Sequence, residues 1–465
     1  MFASRPRPLA CVELPPWVIA ATAVLLLSAC VDGTPELTVG GASGGEGGSA
    51  RSSTPPISDV SDCESVDPAL ERADAGELFD YDHVPTFDFF LPEVDWEQLQ
   101  VNARDEECVP AELCFEGQLV GTVGLRFKGS YGSLTDCFDE QGEMTCPRLS
   151  MKTKFSEYDL EQRFYGLRRL NFNAYRYDDS RMKEKLAYDL FRAMRIVAPR
   201  ASWAVLRVNG ELRGLYGMVE EVDGRFTADR WPDDPDGNLY KEVWPTETDA
   251  EDVLEGLKTN EEVGDVSAFV AFTEAVTSAD DADLRTTLGS YVDLDYLARY
   301  LAVDDAIVSY DGITYFWTDG ESAGNHNFYF YEEAADRYTL IPWDLESSFW
   351  INPDHAAPHW TEIPDDCTLT YPYWSGLARA AGCDLVFRAL VEDLSVWRAA
   401  GQELLDGPFS VAEMTAMINR HERFIEAEAM ADPTPTMYGT FAESVSGIRS
   451  SIPAQRERLE ALIAE

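Results

Sequence analysis

Residues 325–349, NHNFYFYEEAADRYTLIPWDLESSF, restrict the possible folds more than any other stretch of the chain. Two aromatic-rich runs flank a polar turn, which is the pattern of an antiparallel hairpin. With Ala335 and Asp336 at the centre of the turn, Asn327 faces Asp344 across the strands. A carboxamide beside a carboxylate suits a hard cation such as Mg²⁺, although both residue types are also ordinary turn and capping residues. The hairpin therefore predicts either a metal site or a simple strand end.

Alternating apolar residues predict strands throughout the first half of the chain. In RLSMKTKF, Lys152 and Lys154 fall on one face of the strand, while Met151 and Thr153 fall on the other. The Asn-Gly pair at 209–210 is a strong signal for a type I′ turn, so a hairpin is predicted around it.

Helical spacing marks one helix among these strands and most of the second half. SRMKEKLAYDLFRAM is predicted to be a helix that Asp179 or Ser180 caps, with an apolar side formed by Met182, Leu186, Leu190 and Met194. A second helix is predicted over DLDYLARYLAVDDAIVSY, and the pattern from Ser375 onward is helical to the end. Strands followed by helices predict an α+β fold of two lobes around a cleft.

The charge of the chain excludes several classes of partner. It has 37 Lys and Arg residues against 84 Asp and Glu residues, a formal net charge of −47. Such a surface repels nucleic acid and anionic lipid, so neither is an expected partner. Acidic clusters such as WPDDPDG leave two interpretations open, a solvated surface or a cation-binding site.

The N-terminus is typical of an exported lipoprotein. Arg5 and Arg7 precede an apolar run that is followed by LSAC. This run is shorter than the ~20 apolar residues that a transmembrane helix needs. Residues 1–29 are therefore predicted to be a signal peptide with lipid attached at Cys30, although an ordinary signal with an incidental cysteine stays open.

A flexible tether rich in Gly, Ser and Pro is predicted over residues 30–61. It would hold the folded part, residues 62–465, away from a membrane. Val31 stands where an Asp would retain a lipoprotein at the inner membrane, so the expected location is the outer membrane or the cell surface.

The cysteines beyond Cys11 and Cys30 are disulfide candidates in an exported protein. They are Cys63, Cys108, Cys114, Cys137, Cys146, Cys367 and Cys383. Proximity favours the pairs 108–114, 137–146 and 367–383 with Cys63 left over, but the connectivity is not fixed by sequence. No CxxC or His/Cys spacing indicates zinc.

Basic and acidic side chains also fit an arrangement known from protein kinases. Lys152 and Lys154 project from one strand face, and Glu184 lies on the next predicted helix, at the edge of its packed side. A strand Lys paired with a helix Glu is the device by which protein kinases hold ATP phosphates. The alternative is an exposed Lys and a solvated Glu without a functional role.

From Thr86 to the C-terminus the chain resembles the spore-coat CotH family of atypical protein kinases. The matching stretches occur in the family's order, and a weaker match, FAESVSGIRSSIPAQRERLE, lies near the end. They are RLSMKTKFSEYDLEQRFYGLRRLNFN, DDSRMKEKLAYDLFRAM, APRASWAVLRVNGELRGLYGMVEEVDGRF, GNLYK, HNFYFY and IPWDLESSF. Several motifs in one order are far more specific than the hairpin alone.

The resemblance implies a two-lobed, atypical protein-kinase-like fold with a strand-rich N-lobe and a mostly helical C-lobe. It implies binding of ATP and Mg²⁺ (or Mn²⁺), and transfer of the γ-phosphate to Ser or Thr of an unidentified surface or envelope protein. The alternative is a non-catalytic relative, a surface or assembly lipoprotein that uses the fold to bind a metal or a protein partner.

The resemblance also implies roles for individual residues on the metal side of the site. Asp344 of WDLE and Asn327 of HNFYFY are similar to the family's metal-binding Asp and Asn, and Glu346 stands at the place of a second acid. Asp311 of SYDG is similar to the catalytic-loop Asp, which orients the acceptor hydroxyl.

Other residues are implied to bind ATP. Lys152 is similar to a basic position in the phosphate-facing strand, and Lys154 lies on the same face. Glu184 is similar to the helix partner of that Lys. Glu220 of GMVEEVD is similar to the acidic position near the expected place of adenine.

The chain departs from the family pattern in its catalytic loop and at single residues. The stretch GITYFWTDGESAGNH between Asp311 and Asn327 is longer than usual, so Asp319 competes for the catalytic role. Glu346 replaces the second Asp of WDxD, and Lys128 of FKG stands where an Arg is usual. The lengthened loop is compatible with a degraded active site.

Overall fold

The computed structural model describes residues 57, 59–65, 70, 74–130, 133–320, 322–334, 336–350, 357–373 and 376–464. The predicted signal peptide, residues 1–29, and the predicted lipidation site, Cys30, lie outside the described residues. Most of the predicted tether, residues 30–61, lies outside them as well.

Strands of the first half close into a barrel, in the order β1-β2-β3-β4-β5-β7-β6. Neighbours are antiparallel except β1 and β6, which pair in parallel and close the ring. The bounds are Thr86–Phe90 (β1), Val109–Phe115 (β2), Gln118–Phe127 (β3), Met151–Lys154 (β4), Arg169–Asn173 (β5), Ala201–Val208 (β6) and Glu211–Glu220 (β7). Closure leaves this sheet without a free edge strand.

Alternation along the barrel strands separates an apolar interior from a polar outer face. In β4, Met151 and Thr153 are buried, whereas Lys152 and Lys154 are half-buried on the opposite face, which confirms the predicted pattern. The outer face of β3, β4 and β5 is therefore the surface that carries the predicted phosphate-facing lysines.

The predicted hairpin of β6 and β7 forms around Asn209 and Gly210, whose φ angles are 51° and 79°. Both values lie in the left-handed region that a type I′ turn requires. The Oδ1 atom of Asn209 accepts a hydrogen bond from the backbone nitrogen of Leu91 at 3.0 Å, so the turn also fixes the chain after β1.

The remaining strands form two smaller sheets, ordered β12-β11-β8 and β10-β9-β14-β13. The second of these is called the accessory sheet below. The bounds are Leu239–Lys241 (β8), Phe316–Thr318 (β9), Ala323–Gly324 (β10), Phe328–Glu333 (β11), Arg337–Pro342 (β12), Thr370–Tyr373 (β13) and Gly376–Arg379 (β14).

The mixture of sheets and helices confirms the predicted α+β class, and the division into two lobes stays a prediction. The α-helices are Ala75–Phe79 (α1), Glu93–Val101 (α2), Lys183–Ala193 (α3), Gly224–Arg230 (α4), Ala250–Gly256 (α5), Ser267–Ser278 (α6), Asp281–Tyr291 (α7), Leu294–Ile307 (α8), Leu385–Val391 (α9), Ser395–Asp406 (α10), Val411–Ala431 (α11) and Phe441–Ala464 (α12). Short 3₁₀ helices cover Val60–Asp62, Ala103–Asp105 and Ala381–Cys383. Within the described residues, no helix is both long and apolar enough to span a membrane.

Helix α3 packs as predicted but begins differently. Its apolar side is fully buried along its length, as the spacing predicts, at Met182, Leu186, Leu190 and Met194. The prediction that Asp179 or Ser180 caps the helix is wrong, because Asp178 Oδ2 accepts the backbone N–H of Lys183 at 2.8 Å. Asp179 is occupied elsewhere, since its carboxylate accepts backbone N–H groups of residues 437–439.

The hairpin of β11 and β12 forms, but its register differs by one residue from the predicted one. Phe328 pairs with Pro342, and the backbone oxygen of Asn327 accepts the N–H of Trp343 at 3.0 Å. Asn327 therefore does not face Asp344 directly. The last pair is Glu333 with Arg337, so three positions separate the strands, rather than the two that the prediction assumed. Because β12 lies at the sheet edge, Pro342 is tolerated there.

The lengthened loop that precedes Asn327 forms two strands of the accessory sheet. Strands β9 and β10 pair within this loop, and β9 also pairs with β14 of the β13–β14 hairpin. The expectation of helix from Ser375 onward is wrong for β14, because pairing with β9 overrides local helical preference there. The extra residues of the loop therefore belong to a folded sheet.

Two of the expected disulfides are present, and the third is different. Cys137 is joined to Cys146 and Cys367 to Cys383, as proximity predicts. Cys114 is joined to Cys63, with a sequence separation of 51, so the 108–114 pairing is wrong. Cys108 is the free thiol among the described cysteines. The segment upstream of the barrel pairs with the start of β3 through Glu64 and Gln118, which brings Cys63 to Cys114, and sequence proximity does not reveal this contact.

Candidate active site

The loop after α8 and the residue before β11 bring Asp311 and Asn327 together. The Nδ2 atom of Asn327 donates to the backbone oxygen of Asp311 at 2.8 Å and to its Oδ2 atom at 2.9 Å. The Nε1 atom of Trp317, on β9, donates to Asp311 Oδ1 at 3.0 Å. The carboxylate of Asp311 is therefore fixed from two sides, and the Oδ1 atom of Asn327 is directed away from these bonds.

Asp344 follows β12 at the same end of the hairpin. Its φ of 49° is left-handed, like the φ of 65° at Asn327, and such backbone costs about 1–3 kcal/mol and gathers at functional sites. Its nitrogen donates to the hydroxyl of Tyr188, on α3, at 3.2 Å. Solvent reaches Asp344, yet the crowded surroundings raise the pKa of its carboxyl by desolvation, which Lys128 and Lys241 partly offset.

Several carboxyl groups close to Asp344 are raised in pKa by burial and by the negative charge of their neighbours. Desolvation and the charge of Asp344 raise the pKa of Asp311 to about 6 and that of Glu184 to about 7. Desolvation, followed by the charges of Asp344 and Glu184, raises the pKa of Glu346 to about 8. A cation placed among these groups would remove the repulsion, because it favours their charged forms.

The side chains around Asp344 carry ligand atoms of the kind that bind a hard divalent cation. Asn327, Asp344 and Glu346 offer oxygen atoms, which Mg²⁺ and Mn²⁺ prefer. In the part of the chain that the structure describes, no group of three or more His, Cys, Asp or Glu side chains is arranged to hold a metal ion. The residues therefore fit an ion that takes its other ligands from substrate and water.

A chain of hydrogen bonds connects the barrel with Asp344. The Nζ atom of Lys128, which follows β3, donates to Oδ1 of Asn173 at 2.9 Å. The Nδ2 atom of Asn173 donates to the two carboxylate oxygens of Glu184 at 3.1 and 2.9 Å. The hydroxyl of Tyr188 donates to Glu184 and accepts the N–H of Asp344. Elements β3, β5, α3 and the end of β12 are thereby joined through polar groups.

The partners of Lys152 and Glu184 differ from those predicted. Glu184 is 1% exposed rather than at the edge of the packed side of α3. Lys152 donates from Nζ to Oε1 of Glu221 at 2.7 Å, so the expected Lys152–Glu184 ion pair is not formed. The lysine linked to Glu184 is Lys128, through Asn173. Sequence analysis recognised Lys128 only as a departure from the family pattern.

Two further predicted ATP-binding residues make contacts outside this cluster. Lys154 forms an ion pair with Glu157 at the surface, with 36% of its side chain exposed. Glu220 is 1% exposed and forms ion pairs with Arg200 at 2.5 Å and Arg230 at 2.6 Å. These contacts occupy its carboxylate, so in this arrangement Glu220 supports the end of β7.

Asp319, the competing catalytic candidate, lies in the turn between β9 and β10. It is exposed, and its Oδ1 atom accepts the backbone N–H of Ser322 at 3.0 Å. This is a turn contact of the kind that Asp commonly makes. The structure brings Asp311, and not Asp319, into contact with Asn327.

Lys241 and Glu242, which follow the GNLY motif, are site neighbours that sequence analysis missed. The Oε1 atom of Glu242 accepts the backbone N–H of Asn327 at 3.1 Å. Lys241 lies close enough to lower the pKa of Asp344. The GNLYK motif is the sequence signal that could have identified these two residues, but its lysine was not assigned a partner.

Comparison with known proteins connects this site to one family. The family model described as "CotH kinase protein" matches residues 125–459. Inner spore coat protein H of Bacillus subtilis (strain 168) is 23% identical over 300 residues, which cover 62% of this chain and 76% of that protein.

Solved structures show only weak similarity. A chain of the Shewanella oneidensis MR-1 toxin–antitoxin complex of HipA, HipB and operator DNA has a TM-score of 0.26 and 11% identity, over 62% of this chain and 57% of that chain. The Helicobacter pylori proinflammatory kinase CtkA has a TM-score of 0.23 and 10% identity, over 70% of this chain and 93% of that chain. The assignment therefore depends on the family model, whose match covers most of the barrel and the helices that follow it. On that match, the protein belongs to the CotH family.

Proposed function

We propose that this protein is an exported CotH-like kinase that transfers the γ-phosphate of ATP to Ser or Thr of a surface or envelope protein. The observation that carries the proposal is the contact between Asp311 and Asn327 beside Asp344. It combines a held carboxylate with oxygen ligands for a metal ion, which are the two requirements of kinase catalysis. Membership of the CotH family supports the same conclusion, as it supports a two-lobed, kinase-like arrangement.

In this proposal Asp311 orients the acceptor hydroxyl and accepts its proton. The hydroxyl oxygen forms a bond to the γ-phosphorus, the bond from that phosphorus to the β–γ bridging oxygen breaks, and ADP leaves. Desolvation raises the pKa of Asp311, and a carboxylate with a raised pKa is a better proton acceptor.

The metal ion would be held by Asn327, Asp344 and Glu346. Mg²⁺ or Mn²⁺ would supply charge neutralisation of the phosphate oxygens when bound. On the barrel side, Lys128, which follows β3, and Lys152, on β4, offer positive charge, and Glu184 is linked to Lys128 through Asn173.

The second candidate is a non-catalytic, kinase-like surface or assembly lipoprotein that binds a metal or a protein partner. The pairing of Lys152 with Glu221 favours it, because this lysine is not joined to the helix glutamate. The replacement of an Asp by Glu346 and the lengthened loop favour it too.

One experiment separates the two candidates. The purified mature protein is incubated with labelled ATP, Mg²⁺ or Mn²⁺, and a generic acidic or basic protein acceptor, and its melting is followed in parallel. A kinase labels the acceptor at Ser or Thr. A non-catalytic relative leaves the acceptor unlabelled, and any ligand present at 100 times its Kd stabilises it by about 2.7 kcal/mol. Absence of nucleotide binding with millimolar Mg²⁺, Mn²⁺ or Ca²⁺ contradicts the kinase proposal.

Lys128→Met is expected to weaken nucleotide binding about 10–100-fold, because one charge-assisted hydrogen bond contributes about 1.5–3 kcal/mol. The change removes the cation linked to Glu184 and close to Asp344. Isothermal titration with a non-hydrolysable ATP analogue and Mg²⁺ measures the effect. Lys154→Met, which removes an exposed lysine of the same barrel face, is the matched control. Equal affinities of the Lys128→Met variant and the wild type would show that Lys128 has no part in the nucleotide site.

We also propose that the mature protein is anchored by lipid at Cys30, in the outer membrane or at the cell surface. The motivation is the LSAC sequence, which is followed by a stretch rich in Gly, Ser and Pro. Mass spectrometry of the mature N-terminus is expected to find a diacylated Cys30. An unmodified N-terminus at any other residue refutes the anchor and leaves the kinase proposal untouched.

A further inference from the structure

The accessory sheet contacts the loop that carries Asp311 at two successive residues. The hydroxyl of Tyr373, on β13, donates to the backbone oxygen of Tyr310. The indole N–H of Trp317, on β9, donates to Asp311 Oδ1 at 3.0 Å. The rings of Trp317 and Tyr373 meet edge to face with centroids 4.5 Å apart, so the two contacts form one packed unit.

This unit has a small core of its own, separate from the two large clusters of the protein. The core consists of Val308, Tyr310, Tyr373 and Ala378, with Trp317 packed against it. The Cys367–Cys383 disulfide joins the segments on either side of the β13–β14 hairpin. The lengthened loop is therefore part of a packed unit that contacts the Asp311 side chain.

We propose that Trp317 is a positioning residue, through which the accessory sheet holds the Asp311 carboxylate for phosphoryl transfer. This inference rests on the proposed function. Asn327 fixes Oδ2 of the carboxylate and Trp317 fixes Oδ1, so loss of the indole donor frees the carboxylate to rotate about its Cβ–Cγ bond. The contact of Trp317 is with the carboxylate that is proposed to act on the acceptor hydroxyl, so we expect its loss to affect phosphoryl transfer rather than nucleotide binding.

Trp317→Phe tests the proposal, because it keeps an aromatic ring and removes the N–H donor. We expect kcat to fall about 10–100-fold, since small misplacements of a reacting group have effects of that size. The Kd of the Mg²⁺–ATP complex is expected to stay unchanged. Trp203→Phe is the control, because it removes a buried indole hydrogen bond, to the backbone oxygen of Arg181, on the barrel strand β6. Equal kcat values for the Trp317→Phe variant and the wild type overturn the proposal.

A second measurement does not depend on activity. With 5-fluorotryptophan incorporated into the full chain, the ¹⁹F resonance of Trp317, assigned by its loss in Trp317→Phe, is expected to shift in Asp311→Asn but not in Asp319→Asn. If the wild type transfers phosphate but the resonance ignores Asp311→Asn, the positioning role fails while the proposed function stands. If the wild type transfers no phosphate, the proposed function fails, and the role in transfer fails with it. Should Trp317→Phe not fold, Tyr373→Phe replaces it, with the same expected fall in kcat at unchanged Kd.

Discussion

Asp344→Asn is expected to abolish metal-dependent nucleotide binding and phosphoryl transfer while leaving the melting temperature almost unchanged. The substitution keeps the shape of the side chain but removes the charge that would hold a divalent ion. An arginine that neutralises the charge of a transferring phosphoryl group is worth about 10³–10⁵ in kcat, and we expect loss of the metal's charge to have an effect of that order. Stability should be preserved because Asp344 raises the pKa values of Asp311, Glu184 and Glu346, and its repulsion disappears with its charge.

Isothermal titration with Mg²⁺ and an ATP analogue, beside thermal unfolding of the same samples, measures both parts of this expectation. Asp319→Asn is the matched control, because it makes the same chemical change at an exposed turn residue. If Asp344 only satisfies backbone groups at a strand end, the opposite result follows: the protein loses stability and keeps its nucleotide affinity.

Asp311→Asn is expected to spare nucleotide binding and to lower kcat by about 10²–10⁴, the usual contribution of a general acid–base group. The amide oxygen can still accept the hydrogen bond of Trp317, and Asn327 keeps its bond to the backbone oxygen of residue 311, so the loop should keep its position. It cannot accept the proton of the acceptor hydroxyl. Because positioning and deprotonating the hydroxyl matter mainly in the transition state, kcat should change and the nucleotide Kd should not.

Single-turnover transfer from labelled ATP to the acceptor measures the chemical step directly. The Asp319→Asn variant should behave as the wild type does. Loss of transfer in Asp319→Asn with full activity in Asp311→Asn would mean that the lengthened loop rearranges when substrate binds and that Asp319 is the catalytic residue.

Local sequence patterns correctly predicted those elements whose structure depends on residues close together in the sequence. The hairpin at Asn209 and Gly210 follows from two residues that adopt positive φ, and the buried side of α3 follows from helical spacing. The alternation around Lys152 likewise predicted which face of β4 is buried. Disulfides between cysteines close in sequence were predicted for the same reason, because a short loop limits the available partners.

Features that depend on distant contacts were not predictable in this way. The register of β11 on β12 depends on the spacing between Glu333 and Arg337, and Cys114 pairs with a cysteine that is 51 positions away in sequence. Lys128 reaches Glu184 through Asn173, three residues from three separate elements, and no sequence spacing encodes that path. The family resemblance gave Asp311 and Asn327 separate roles, and their direct contact, made between a loop and the residue before β11, was not predicted.

Parallel pairing of β1 with β6 also has a consequence for where the protein can be cut. The family match begins at residue 125, inside β3. A recombinant fragment with that boundary would lack β1, β2 and most of β3, so β6 would lose its neighbour β1 and the remainder of β3 would be unpaired on its β2 side. Unpaired strands of that kind are templates for association with other chains, so such a fragment should precipitate on expression. Soluble material for biochemistry needs a start point upstream of Cys63, whose bond to Cys114 fastens the leading segment to β2.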